Sequence, residues 1–190
     1  MIAERQSPLS AIEYLEWEKC QQVRHEYISG EIFAMTGGSK AHSAIAVNLT
    51  AEVRTHLRSG PCQVFNADTK VQISADGPFF YPDLSVTCDE RDNQPGYTAQ
   101  YPCLIVEVLS PSTEAFDRGE KFRHYRRLAS LQEYVLVDSH QPGVECYRRS
   151  SENNQLWVLQ TYDNQSIVRL DSVDLDMPIA ALYEKVQFGS

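Results

Sequence analysis

A chain of 190 residues, 42% of them hydrophobic, is long enough for one domain with a substantial core and short for two. Its formal charge of -9, from 17 Lys and Arg against 26 Asp and Glu, excludes a broad cationic surface that would coat nucleic acid nonspecifically and leaves room only for a local basic strip. Five scattered cysteines (Cys20, Cys62, Cys88, Cys103, Cys146), odd in number and without a CxxC pair, signal neither a disulfide framework nor a zinc site, so reduced, mostly buried thiols are expected. Without a basic-then-apolar leader, or an apolar run near the ~18 residues of a membrane span, the expectation is a cytoplasmic protein with no membrane partner.

In chain order, Ser7 to Cys20 reads as a short amphipathic helix with a Ser-Pro start, carrying Leu9, Ile12 and Leu15. Arg24 to Ile28 and Glu31 to Met35 flank Ser29-Gly30 and predict a hairpin. Gly37-Gly38-Ser39 then leads into a helix from about Lys40 to Leu57, with Ile45, Leu49, Val53 and Leu57 spaced by four. Strands are predicted at 62–66, 69–73 and 81–88, followed by a polar loop from Asp89 to Gln100 that contains Pro95-Gly96. After the strand at Leu104 to Ser110, Ser112 and Thr113 offer caps for a helix from about Glu114 to Leu128. Strands follow at 133–138, 144–149, 156–162 and 166–170, with a last short helix from near Pro178 to about Lys185.

Leu104-Ile-Val-Glu-Val-Leu-Ser110 is the most apolar segment and reads as a strand buried on both faces, yet Glu107 sits in its middle. A buried carboxylate pairs, binds a metal or takes up a proton. If the strands on either side of Pro95-Gly96 pair as an antiparallel hairpin, facing residue numbers sum to roughly 190, which sets Asp83 opposite Glu107. Two facing carboxylates call for a cation between them or a shared proton, and with no Cys or His near them on these strands the matching ion is Mg²⁺, with Mn²⁺ as a possible substitute. On the next helix Glu114, Asp117, Lys121, Tyr125 and Leu128 share one face, and Lys121 is the candidate positive group.

The ordered motifs Gly30-Glu31-Ile32, Tyr81-Pro82-Asp83, Val106-Glu107-Val108-Leu109-Ser110-Pro111-Ser112-Thr113, then Asp117, Lys121 and Tyr125, then Glu133-Tyr134-Val135-Leu136-Val137-Asp138, resemble the Uma-type putative restriction endonucleases of the PD-(D/E)XK nuclease superfamily. The resemblance spans roughly Glu26 to Arg149. It implies an α/β (α+β) fold: a restriction-endonuclease-like mixed sheet flanked by helices, with an αβββαβ core after an N-terminal helix and hairpin. One domain over 1–190 is expected, with residues 150–190 covering the sheet. The implied catalytic residues are Asp83, Glu107 and Lys121, and the implied metal positions Asp83, Glu107 and Val108. Glu31, His42, Asp117 and Tyr125 are accessory candidates by position in the motif order. Where the superfamily pattern expects lysine, two residues after the acid, this chain has Leu109, and Lys121 on the helix takes its place.

Plainer readings stand beside these. Asp83 after Pro82 can simply cap a strand start, Glu107 can form a metal-free ion pair with Lys121, and Lys121 with Asp117 can be an ordinary surface pair. Glu31 fits a solvated hairpin position and His42 a helix surface. Arg118, Arg123, His124, Arg126 and Arg127 point around their helix, so a solvated face is their default, and Tyr97, Tyr101 and Phe116 suit packing more often than base stacking. The function expected is Mg²⁺-dependent hydrolysis of DNA phosphodiester bonds by a metal-activated water, in a homodimer with no organic cofactor. The alternative is a catalytically inactive nuclease-fold binding or assembly module.

Overall fold

A computed structural model describes residues 8–188. The helix start read at Ser7 lies outside the described residues; α1 (Ala11–Glu18) is capped by Ser10, whose Oγ accepts from the Glu13 N–H while the Glu13 carboxylate accepts from the Ser10 N–H. β1 (His25–Ile28) and β2 (Glu31–Ala34) form the expected hairpin, and Ser29 and Gly30 both take positive φ (50° and 97°), as a two-residue turn matched to strand twist requires. Ser39 caps α2 (Lys40–His56), whose Ile45, Leu49 and Val53 make the buried stripe that the spacing of four predicts.

Next come β3 (Gln63–Asn66), β4 (Lys70–Gln72), a short β5 (Phe79–Phe80) not foreseen from the sequence, and β6 (Leu84–Thr87). The polar stretch after β6 holds a 3-10 turn (Glu90–Asn93) and β7 (Thr98–Ala99) before β8 (Leu104–Val108). The helix expected from Glu114 is present in three pieces: α3 (Glu114–Phe116), a π-helical turn (Asp117–Lys121) and α4 (Phe122–Tyr125). β9 (Glu133–Val137), β10 (Val144–Arg149), β11 (Trp157–Tyr162), β12 (Ile167–Leu170), β13 (Leu175–Pro178) and α5 (Ile179–Leu182) complete the order.

A six-stranded mixed sheet runs β11-β10-β9-β8-β6-β3, antiparallel throughout except for β8 and β9, which are parallel and joined by the α3–α4 crossover. α2, β3, β6, β8, the crossover and β9 give the αβββαβ order, while β4, β5 and β7 join the hairpin in a second sheet, β2-β1-β5-β4-β7. Period-two alternation sorts β8 between two cores. Leu104, Val106 and Val108 pack with Ile45, Leu49 and Val53 of α2 and with Val168, Met177 and Leu182 of the C-terminal segment. Ile105 and Leu109 pack with Tyr125, Leu128 and Tyr134. Glu107 has the parity of Ile105 and Leu109, so the backbone aims it at the crossover helix. Glu133 fastens the C-terminal strands to the sheet by accepting from Arg148 Nε at 2.6 Å, Asp171 N at 3.1 Å and Ser172 N at 2.8 Å.

The expectation of reduced thiols is corrected: Cys62 and Cys88 form a disulfide one residue beyond the β3–β6 pair Gln63↔Thr87. A separation of 26 residues carries no local signature, and only the strand pairing brings the two together. Among the described residues no helix is long and apolar enough to cross a membrane.

Candidate active site

The β6–β8 register is Leu84↔Val106, Ser85↔Ile105 and Val86↔Leu104, facing numbers summing to 190, so Asp83 stands one step before β6 at the level of Glu107. Asp83 is held from two sides. Its Oδ2 accepts the Val108 N–H at 2.7 Å, and its Oδ1 lies 3.0 Å from His42 Nε2. That hydrogen bond, opposed by burial and helped by the charges of Asp83 and Asp117, raises the His42 pKa above the ordinary 6.5. Gly38 packs its bare backbone against His42: a Cβ there would lie 2.7 Å from the imidazole ring.

Beneath this partly exposed pair lies a buried ionic cluster. Lys121, 5% exposed, places Nζ 2.9 Å from Glu107 Oε1, 2.9 Å from Glu26 Oε1 and 3.6 Å from Asp117 Oδ1. Glu107, Glu26 and Asp117 are 4%, 3% and 3% exposed. The Tyr125 hydroxyl donates to Glu107 Oε1 at 3.1 Å, and the Tyr81 N–H donates to Glu26 Oε1 at 3.1 Å. Phe80 covers the ammonium from one side, its ring centroid 5.6 Å from Nζ. The π-helical turn holds both Asp117 and Lys121 and presents them inward, a use that such widened turns often have at functional sites.

Four carboxylates thus share one buried lysine and one histidine, and the charges do not balance. Burial, only partly offset by Lys121 and reinforced by Asp117, Asp83 and Glu26, pushes the Glu107 carboxyl well above its ordinary range. For Lys121 burial works against the charge, but Glu107, Glu26 and Asp117 outweigh it and hold the ammonium well above the usual lysine value. Burial likewise raises the Tyr125 phenol, so it stays a donor to Glu107.

The structure therefore brings together Asp83, Glu107, Val108, Lys121, His42, Asp117 and Tyr125. Glu31 stands apart: it is exposed at the hairpin turn, paired with Ile28. The acid that reaches Lys121 from the hairpin is Glu26, which sequence reasoning passed over. Its signal was a charge inside a strand, between His25 and Tyr27, with no evident partner in its own sheet. Glu26 is positioned from further out by α1: Glu18 accepts from the His25 N–H at 2.9 Å and from the Tyr81 hydroxyl at 2.9 Å, which itself accepts from Lys70 Nζ at 3.1 Å. Among the described residues no group of three or more His, Cys, Asp or Glu side chains is disposed to hold a metal ion. Of the basic helix positions, Arg118 pairs with Glu114 and Glu145 and Arg123 with Glu120. Tyr101 lies beneath Arg91 and Phe116 against Phe80, in line with packing, while Tyr97 is exposed.

Residues 11–180 match the family model Uma2, described as "Putative restriction endonuclease". The chain belongs to the Uma2 family. Two relatives from Synechocystis sp. (strain ATCC 27184 / PCC 6803 / Kazusa) are similar along nearly their whole length: the uncharacterized protein slr1290 at 43% identity, covering 95% of this chain and 94% of its own, and the uncharacterized protein sll1609 at 33%, covering 84% and 90%. The Uma2 chain also superposes on a crystal structure from Anabaena variabilis ATCC 29413, described as a putative nuclease belonging to DUF820. That match has a TM-score of 0.78 at 20% identity and covers 95% of this chain and 100% of the other. The fold is therefore the restriction-endonuclease-like α/β fold expected from the motif order.

Proposed function

We propose that this Uma2 protein is a divalent-metal-dependent endonuclease that hydrolyses DNA phosphodiester bonds, with Mg²⁺ as its ion and Mn²⁺ as a substitute. The observation that carries the proposal is the surplus of acid at one end of the sheet, buried Glu107, Glu26 and Asp117 and partly exposed Asp83 against one lysine and one histidine, which a bound cation would relieve. Oxygen donors from the Asp83 and Glu107 carboxylates and the Val108 carbonyl fit a hard ion that keeps several waters, since Mg²⁺ needs few protein ligands. A bound Mg²⁺ would supply Lewis-acid stabilisation of the phosphate and acidification of the attacking water.

The chain's own residues do the rest. The Val108 N–H and His42 fix the Asp83 carboxylate in one orientation, and Tyr125 fixes Glu107. Lys121, held in place by Glu26 and Asp117, offers its ammonium to orient a water or to offset charge developing on phosphate oxygens. Two copies, each cutting one strand, would act on a duplex, and β11 is the surface that suits pairing of two copies. It is an edge strand with Leu156, Val158 and Leu159 exposed at its start, and residues 155–162 carry no charge.

A second reading, a nuclease-fold module that binds without cutting, is favoured by the complete engagement of Lys121 by carboxylates and the pairing of Arg118 and Arg123 of the crossover helix with carboxylates. Incubation of supercoiled plasmid with the protein and Mg²⁺ or Mn²⁺ separates the two. The nuclease reading expects nicked and linear products that vanish with Asp83→Asn and with Glu107→Gln. Activity unchanged in either variant refutes the site, and binding without cleavage by wild type establishes the module.

A further inference from the structure

At the opposite end of β6 and β8 from Glu107, a cavity of about 830 Å³ opens between the strand ends and the chain after α4. Cys88 and Cys103 both line it. Cys88 is bonded to Cys62, and its Sγ lies 3.8 Å from the Sγ of Cys103, so three cysteines from three neighbouring strand ends meet at one wall. Cys88 is exposed, Cys103 is buried and free, and Cys62 is partly covered. Facing them are Arg91, Arg127, Gln100 and Ser130. Arg91 is held by Asp89, whereas Arg127 has no carboxylate within ion-pair distance among the described residues. The Ser130 hydroxyl is buried and makes no hydrogen bond among the described residues.

We propose that these residues form a thiol-exchange site for a small anionic thiol of the glutathione class, independent of the nuclease site. The incoming thiolate attacks the Sγ of Cys88, the more exposed residue of the pair, with its carboxylates drawn to Arg127 and hydrogen-bonded by Ser130 and Gln100. The Cys62–Cys88 bond breaks, its electron pair leaves on Cys62 Sγ, which takes a proton from solvent, and the small thiol remains on Cys88 as a mixed disulfide. Cys103, once it gives up its proton to solvent, attacks Cys88 Sγ in turn and expels the small thiol as thiolate, leaving a Cys88–Cys103 disulfide. No electrons are gained or lost overall: the bridge moves from β3–β6 to β6–β8. Burial pushes the Cys103 thiol up to about 11, which keeps it protonated at neutral pH.

The test uses the full oxidised chain carrying Cys20→Ser, to remove the exposed free thiol, treated with glutathione, quenched in acid and mapped by peptide mass spectrometry. The expected result is an adduct on Cys88 that gives way to a Cys88–Cys103 bridge, whereas with Cys103→Ser added the adduct decays only by return of Cys62, to the original Cys62–Cys88 bridge. Because burial of position 103 makes that variant sensitive to folding, Arg127→Ala, at an exposed position, gives a second reading. It should slow reaction with glutathione about fivefold while leaving the rate with neutral 2-mercaptoethanol unchanged. Adducts mainly on Cys62, an Arg127→Ala rate that ignores the charge of the thiol, or a wild-type chain with Cys62 and Cys88 unbridged after air oxidation would overturn the proposal.

Discussion

Replacing Lys121 with methionine keeps the length of the side chain and removes its charge, leaving Glu107, Glu26 and Asp117 facing one another. At an exposed site an i,i+4 pair such as Asp117–Lys121 is worth about 0.3–0.5 kcal/mol. Here Lys121 is 5% exposed and touches two carboxylates at 2.9 Å, so its loss strands buried charge, and the expected destabilisation is about 3–5 kcal/mol near pH 8. The loss should depend on pH with a definite sign. Glu107 already has a folded pKa above its ordinary 4.5, so it binds a proton more tightly when folded; its share of stability is greatest below pH 4.5 and is lost as pH rises through the raised value. Without Lys121 that value rises further, so urea unfolding should show a smaller penalty at pH 5 than at pH 8. In the double variant K121M/E107Q the penalty should fall short of the sum of the singles by about 0.5–3 kcal/mol. A penalty below about 0.5 kcal/mol, or one that does not shrink at pH 5, would refute the buried-cluster account.

Other expectations follow from single contacts. Glu133→Ala removes the acceptor shared by Arg148, Asp171 and Ser172 and should cost about 3 kcal/mol in urea unfolding, with early loss of amide protection in β12 and β13. Gly30→Ala places a Cβ 3.1 Å from Pro8 at φ +97° and should destabilise by about 1 kcal/mol or more, read as a lowered Tm. Gly38→Ala should push the His42 ring off Asp83, visible as a fall of the His42 pKa towards 6.5 in an NMR titration, with the fold intact. Mg²⁺ at about 100 times its Kd should raise wild-type stability by about 2.7 kcal/mol and Asp83→Asn stability by much less.

Much of this architecture was legible because strand pairing is arithmetic. Two runs closed by Pro95-Gly96 fixed the register that sets Asp83 level with Glu107, and period two in Leu104–Leu109 fixed the face on which Glu107 emerges. The spacing of four in α2 marked its buried stripe for the same reason. What stayed hidden depends on contacts between separate sheets. Glu26 meets Lys121 only because the hairpin sheet folds over the crossover helix, and no local pattern encodes that approach. Glu31 has the more conspicuous place beside the Ser29-Gly30 turn, yet the turn turns it to solvent. The π-helical turn at Asp117–Lys121 has no sequence mark, and Cys62 and Cys88 look unrelated until β3 lies beside β6.

The central claim, that Asp83 and Glu107 form a cation site, is most directly tested by anomalous scattering from crystals soaked in Mn²⁺. A peak is expected within bonding distance of Asp83, Glu107 and the Val108 carbonyl, absent in Glu107→Gln. A well-ordered site with no peak there, and with Lys121 still bridging Glu107 and Glu26, would contradict it.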